Sequence, residues 1–295
     1  MNQLVSAVAA LTLAFALPGG AVHPAAQAQP AGKVHLPGAE SNQPFKPFRI
    51  IANIHYVGTN DLACYLITTP AGHILLDTGM EESAPLVRAN IAALGFKLQD
   101  IKIILSGHAH YDHVGAMAAI KKITGAQMMI NENDAALLAD GGNSDYAFGG
   151  KGSTFEPVKP DRELHEQDTV RLGGMEILVL HHPGHTKGAS SFLFTVKDEQ
   201  HSYRVLIANM PTILPETKLS GMPTYPAVAK DYAYTLDALK KLQFDIWLSS
   251  HASQFGLHKK RKPGDGYHPE VFADRQGYDS MIENLEKIYL NRLNK

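Results

Sequence analysis

The sequence predicts an α/β protein, a four-layer α/β/β/α sandwich built as one domain. Short β-like runs alternate with helix-period segments along the body of the chain, which is one sign of it. The other is that the alternation falls into two strand-rich halves, each flanked by helices, and two sheets with helices outside them bury both apolar surfaces. A third observation locates the chemistry: of the 15 histidines, several gather where strands are predicted to end.

Residues 1–28 read as an export signal. Leu4 to Leu17 is largely apolar, and Ala26-Gln27-Ala28 supplies the small-x-small pattern before a cut after Ala28. No Lys or Arg precedes the apolar stretch, so the α-amino group alone provides positive charge there. The stretch falls short of the ~20 apolar residues of a membrane span. The mature protein is therefore expected to be soluble, periplasmic or secreted, and free of the membrane once the signal is removed. Residues 29–45, rich in Pro, Gly, Ala and Gln, read as a flexible arm, and a single domain over 46–295 is expected to become ordered near Phe48.

Within that domain Ile50–Val57, Tyr65–Thr69 and His73–Asp77 read as strands, separated by Gly58 and by Pro70-Ala71-Gly72. Ser83 is placed to cap a helix whose Val87, Ile91 and Leu94 recur at helical spacing, and Gly95 ends it. Ile101–Leu105 is a strand running into a histidine cluster. Helix periodicity resumes from Val114 to Ile123 and stops at Gly125, and Asn133–Asp140 is another short helix. Gly141–Gly152 holds five glycines and reads as a mobile loop, a candidate lid or substrate contact. The second half repeats the logic. Strands are expected near Met175–Leu180, Ser191–Thr195, Arg204–Ala208 and Asp245–Leu248. One helix carries Val228, Tyr232, Thr235, Leu239 and Leu242 on one face, and a last one carries Met281, Leu285, Ile288 and Tyr289.

Composition narrows the function. With 44% hydrophobic and 19% charged residues the chain has material for a substantial core, and a formal net charge of −2 gives no field to gather nucleic acid. The run Lys259-Lys260-Arg261-Lys262 is narrower than a nucleic-acid face and reads as a solvated loop. Cys64 is the single cysteine, so no intrachain disulfide forms; set in Ala63-Cys64-Tyr65-Leu66-Ile67, it reads as a small core side chain.

The decisive stretch is His108-Ala109-His110-Tyr111-Asp112-His113. In extended backbone alternate side chains share a side, so His108, His110 and Asp112 point together while His113 turns away as the next helix begins. Four metal-binding groups in six residues, split in two directions, suit two neighbouring metal ions better than one. A merely polar loop would bury such a cluster at high cost. His181-His182-Pro183-Gly184-His185-Thr186-Lys187-Gly188 follows another strand, and Pro-Gly turns His185 back toward the sheet end. Ser250-His251-Ala252 follows a third strand, and Asp77 lies at the end of a fourth. Asp77 reads as orienting ligands or loops, with a structural turn role beside it.

The pattern His-x-His-x-Asp-His, then Pro-Gly-His-Thr, then a late strand-end histidine, resembles the metallo-β-lactamase superfamily. Within it the chain resembles subclass B3, and most closely the GOB-type branch, from about Phe45 onward. The resemblance implies the four-layer sandwich of that superfamily and two Zn2+ ions per chain. His108, His110 and His185 would hold the first zinc, and Asp112, His113 and His251 the second. Asp112 would also orient the attacking hydroxide. The implied reaction is hydrolysis of the β-lactam amide bond of penicillins, cephalosporins and carbapenems, conferring antibiotic resistance. The implied partner is a small-molecule β-lactam, with no nucleic acid, and the protein is expected to be a monomer.

Two departures stand out. GOB-type enzymes often have Gln where His108 stands, so the change here is toward the ordinary B3 ligand set. Many B3 enzymes carry serines near residues 208–212 that contact the substrate carboxylate; this chain has Met210 and Thr212, and Thr212 is the candidate for that contact. The alternative reading is another binuclear metal hydrolase, a lactonase or thioesterase. Those relatives carry a Gly-Asp-Thr-type motif in this segment, whose Asp bridges both metals, a role that neither Asn209 nor Met210 can fill.

Overall fold

Alternate residues of the central strands face opposite ways, and that period of two builds the layers. In the computed structural model, which describes residues 38–262 and 264–294, Ile67, Ile74, Leu76, Ile103 and Leu105 enter the core shared with the second sheet. Their neighbours Leu66, Leu75 and Ile104 face the helices, against Val87, Ile91, Met117 and Ile120. The proposed export signal and the first part of the arm lie outside the described residues.

In chain order the elements are β1 (Phe48–Ile51), β2 (Ile54–Tyr56), β3 (Tyr65–Thr69), β4 (Gly72–Leu76), α1 (Ala84–Ala93), β5 (Ile101–Leu105), α2 (Tyr111–Val114), α3 (Met117–Thr124), β6 (Gln127–Asn131) and α4 (Glu132–Ala139). They continue with β7 (Arg162–Leu164), β8 (Thr169–Leu172), β9 (Met175–His181), β10 (Ser190–Lys197), β11 (Ser202–Ala208), α5 (Val228–Lys240), β12 (Ile246–Ser249), α6 (Leu257–Lys260) and α7 (Arg275–Leu293). One sheet runs β1-β2-β3-β4-β5-β6-β7 and the other β12-β11-β10-β9-β8. The pairs from β4 to β7 are parallel, as is β11 with β12. Parallel neighbours need a crossover, and α1, α2–α3, α4 and α5 supply them. The outer layer of the second sheet is α5 with α7, where Tyr232, Leu236 and Leu239 join Tyr278, Ile282 and Leu285 in the core. Tyr278 donates its hydroxyl to Leu239 O. The four-layer expectation holds.

Several local readings change. Ile50–Val57 is not one strand but the hairpin β1–β2. It reverses at Ala52, whose φ of 47° lies in the left-handed region; its carbonyl accepts from Arg49 Nε, and its N–H donates to Tyr267 Oη. The ordered body starts before Phe48. Ser41 O and Gln43 O accept from the N–H groups of Asp61 and Asn60, so the second part of the arm is tied to the turn after β2. Ser83 makes no cap bond; its hydroxyl donates to Asn42 Oδ1 in that same segment. The Val114–Ile123 helix is two helices broken at Gly115, where a Cβ would lie 2.5 Å from Tyr111 O and 2.6 Å from Glu81 N. Gly125 ends α3 in the left-handed conformation as expected. The basic run is not simply solvated: Lys260 pairs with Asp274 and Arg261 stacks over Phe48. Cys64 is buried.

Candidate metal centre

Strands β4, β5, β9, β11 and β12 all end at one edge of the sandwich, and each delivers a side chain to a single cluster. Beyond β5 the chain bends at Gly107, is extended at His110 and then enters α2. His108 and His110 therefore project from one run while Asp112 and His113 leave from the first turn of the helix. The turn after β9 returns His185, and the residue after Ser250 brings His251. Two trios result, His108 with His110 and His185, and Asp112 with His113 and His251. Within each trio the potential ligand atoms lie within 4.8 Å of one another. Every expected ligand position is thus in one of two adjacent groups, and the rings of His108 and His113 touch across them at 4.3 Å between centroids.

Four of the five imidazoles have one nitrogen in hydrogen-bond contact outside the cluster and the other turned inward; the fifth, His113, faces its outer carboxylate at ion-pair distance. His110 Nε2 meets Asp145 Oδ2 at 3.0 Å, leaving Nδ1 3.1 Å from His185 Nε2. His185 Nδ1 donates to Thr212 O at 2.8 Å. His108 Nδ1 lies 2.9 Å from Asn209 Nδ2, which also donates to Gly107 O. In the second trio His113 Nδ1 sits 3.4 Å from Asp77 Oδ2, and His251 Nδ1 3.1 Å from Asp61 Oδ2. Their Nε2 atoms face Asp112 Oδ2 at 3.4 and 3.5 Å. Among the described residues, the buried His108 Nε2 and both ring nitrogens of His113 find no hydrogen-bond partner. Leaving such groups unmet costs about 1–3 kcal/mol each.

That arrangement fits a metal. Two donors on one tetrahedral zinc at about 2.0–2.1 Å stand about 3.3 Å apart, near the 3.1 Å between His110 Nδ1 and His185 Nε2. The set of five imidazoles and a carboxylate suits zinc. In the first trio protonation states agree. Burial, reinforced by the neighbouring imidazoles, pushes His108 far below the ordinary imidazole value, and burial with the adjacent His110 takes His185 down to about 3. Both rings are neutral, as ligands must be. Burial alone would lift Asp112, but His113, His251 and His110 hold it below the usual carboxylate range. Burial likewise opposes the charge on His113, yet Asp112 and Asp77 raise it to about 10. Asp61 is held at about 2, against burial, by His251 and the Ser253 N–H.

Asp77 contacts the backbone and side chains that lead into the cluster. Its Oδ1 accepts from Ser106 Oγ and the Gly107 N–H, its Oδ2 faces His113, and its φ of 59° is unusual for a buried aspartate. Thr212, singled out for the substrate, contacts His185 through its carbonyl, which also accepts from the Tyr232 hydroxyl, and through a hydroxyl 3.1 Å from Nδ1. Met210 is buried in the core between the sheets. Three residues at the cluster carry no signal that the sequence reading used for this role: Asp145, Asp61 and Asn209. The five-glycine loop is not a free lid. Tyr146 anchors it to Gly184 O and Thr217, and the Phe148 ring lies 5.2 Å from that of His110.

The metallo-beta-lactamase superfamily model matches residues 59–198. A β-lactamase from Chitinophaga pinensis is 57% identical, covering 90% of this chain and 100% of that one, with a TM-score of 0.87. The class B3 di-zinc metallo-beta-lactamase LRA-12 from an Alaskan soil metagenome is 60% identical over 88% of this chain and 98% of that one, TM-score 0.85. GOB-18 from Elizabethkingia meningoseptica is 50% identical over 91% and 99%, TM-score 0.86. The chain belongs to the metallo-beta-lactamase superfamily. Its likeness there is to class B3 enzymes, the GOB-type among them, over almost their whole length. The chain spans 40% to 50% of the length of the first curated relatives it matches, which include a hydroxyacylglutathione hydrolase of Rhodopseudomonas palustris, 32% identical over 130 residues.

Proposed function

We propose that the protein is a class B3 metallo-β-lactamase that hydrolyses the amide bond of penicillins, cephalosporins and carbapenems, and thereby confers resistance to them. One observation carries the reading: two adjacent trios of donors, on a chain 57% to 60% identical to β-lactamases over nearly their full length. His108, His110 and His185 would hold one Zn2+, and Asp112, His113 and His251 a second. When bound, such ions bring the pKa of water to about 7 and polarise a carbonyl.

The chain's own side chains do the rest. Asp145 and Thr212 align His110 and His185 of the first trio, and Asp77 and Asp61 flank the second. Asp112, a member of the second trio, is ionised, and we assign it the orientation of the attacking water through a hydrogen bond. The water oxygen bonds to the lactam carbonyl carbon, the C–N bond opens, and the proton lost by water ends on the ring nitrogen. The thioesterase alternative lacks support in the same segment, because Asn209 is engaged with His108 and Met210 is buried in the core.

The apolar Leu4–Leu17 stretch and Ala26-Gln27-Ala28 support export to the periplasm or beyond. No helix among the described residues is long and apolar enough to cross a membrane. The test is hydrolysis of nitrocefin and a carbapenem, before and after exhaustive chelation and on return of zinc, with a glutathione thioester and a homoserine lactone assayed in parallel. Chelation is expected to abolish lactam hydrolysis and zinc to restore it. Full activity after chelation, or turnover of the thioester or lactone alone, refutes the reading.

A further inference from the structure

The carboxylate of Asp134, on α4, is 1% exposed and accepts three hydrogen bonds. Oδ2 takes the Ala109 N–H at 3.0 Å and the Thr186 hydroxyl at 2.7 Å, and Oδ1 takes the Gly188 N–H at 2.7 Å. Ala109 stands between His108 and His110, and Thr186 directly follows His185. A single buried group therefore ties together the two chain segments that carry the first trio. His251 comes from a different strand end, and its own alignment runs through Asp61.

Gly188 is fitted to this contact. A Cβ there would lie 2.6 Å from Asp134 N and 2.7 Å from its Cβ and Cγ. Its φ is not in the left-handed region, so the demand is for room and not for backbone freedom. Bringing the 185–188 turn this close to α4 is what lets one carboxylate reach both segments.

We propose that Asp134 is the positioning residue of the first metal site: it fixes the separation of the His108–His110 run from His185, and so sets that site's affinity while leaving the second site's nearly unchanged. This rests on reading the first trio as a metal site. All three neighbours are donors as they stand, so an amide at this position cannot satisfy them. Turned one way, Asp134→Asn sets its NH2 against the Gly188 N–H. Turned the other way, the Thr186 hydroxyl can reverse and accept, but the Ala109 N–H is left facing a donor.

The experiment titrates the metal-free full-length protein with zinc against a chromophoric chelator, and with Co2+ followed by its d–d absorption. His185→Ala and His251→Ala serve as references that identify each site's spectrum. For Asp134→Asn we expect the site missing in His185→Ala to weaken about 10–100-fold, the loss typical of removing a ligand's outer support, and the other to stay within about twofold. Gly188→Ala, which disturbs the same contact from the opposite side, should reproduce that selective loss if Asp134→Asn does not fold. Equal weakening of both sites, or of neither, overturns the proposal. A wild-type protein that binds no metal defeats instead the reading on which it rests.

Discussion

Asp145→Asn isolates what an outer partner contributes to a histidine of the cluster. Asp145 Oδ1 already accepts from the N–H groups of Ala147 and Phe148 at 2.8 and 2.6 Å, while Oδ2 faces His110 Nε2 at 3.0 Å. In the amide, the oxygen must stay with the two backbone donors, so the NH2 group replaces Oδ2 and meets Nε2. The imidazole can then satisfy that contact only as an acceptor, with its proton on Nδ1, the nitrogen that faces His185 and would hold metal. The substitution therefore does more than remove a hydrogen bond; it selects the tautomer that cannot ligate. Loss of such a support costs about 10–100-fold in metal affinity, or about 1.4–2.8 kcal/mol. Zinc competition against a chelator reads the affinity, and long-range proton–nitrogen correlation spectra of the metal-free protein read the tautomer of His110. A variant that binds its first zinc as tightly as the native chain, or that keeps its proton on Nε2, refutes the argument.

Two further predictions concern stability. His182, 4% exposed with Nδ1 2.7 Å from Ser191 Oγ, is taken down to about 3 by burial and by His181. The unfolded chain binds that proton near pH 6.5 and the folded one does not, so stability should fall as pH drops from about 6.5 toward 3. The contribution of this one group is about 1.4 kcal/mol per pH unit. In metal-free protein, urea midpoints of His182→Asn should show that much shallower a decline across the window, and an unchanged slope would contradict the assignment. Gly58→Ala would set a Cβ 2.2 Å from Leu62 O and 2.5 Å from Cys64 N, both backbone atoms. It should cost about 1–3 kcal/mol and disturb the Leu62–His251 bridge; a denaturation curve matching the native one would show that the turn yields freely.

The ligands were legible because metal chemistry leaves a local mark. Two imidazoles and a carboxylate at alternate positions after an apolar strand, with a further imidazole next to them, have few other uses. The layers were legible because short strand-like runs alternate with helix-period segments in two halves of the chain, each half with its own helices. Where the chain gives no such mark the reading missed. The turn at Ala52 has no glycine to announce it. The strands β6, β7 and β8 went unread, and two of them are short with exposed charges such as Arg162 and Arg171.

The outer partners were invisible for a deeper reason. Asp145, Asn209 and Asp61 stand 35, 101 and 190 residues from the histidines they hold, and a lone carboxylate or amide in a turn has no periodicity of its own. Only the convergence of five strand ends gives each its role. A metal centre of this kind is therefore specified twice over. The ligands are specified by residue type, which a sequence displays. Their aim is specified by partners that only the fold assembles, so substitutions such as Asp134→Asn and Asp145→Asn should separate the two: every ligand remains, and the first site binds about 10–100-fold more weakly.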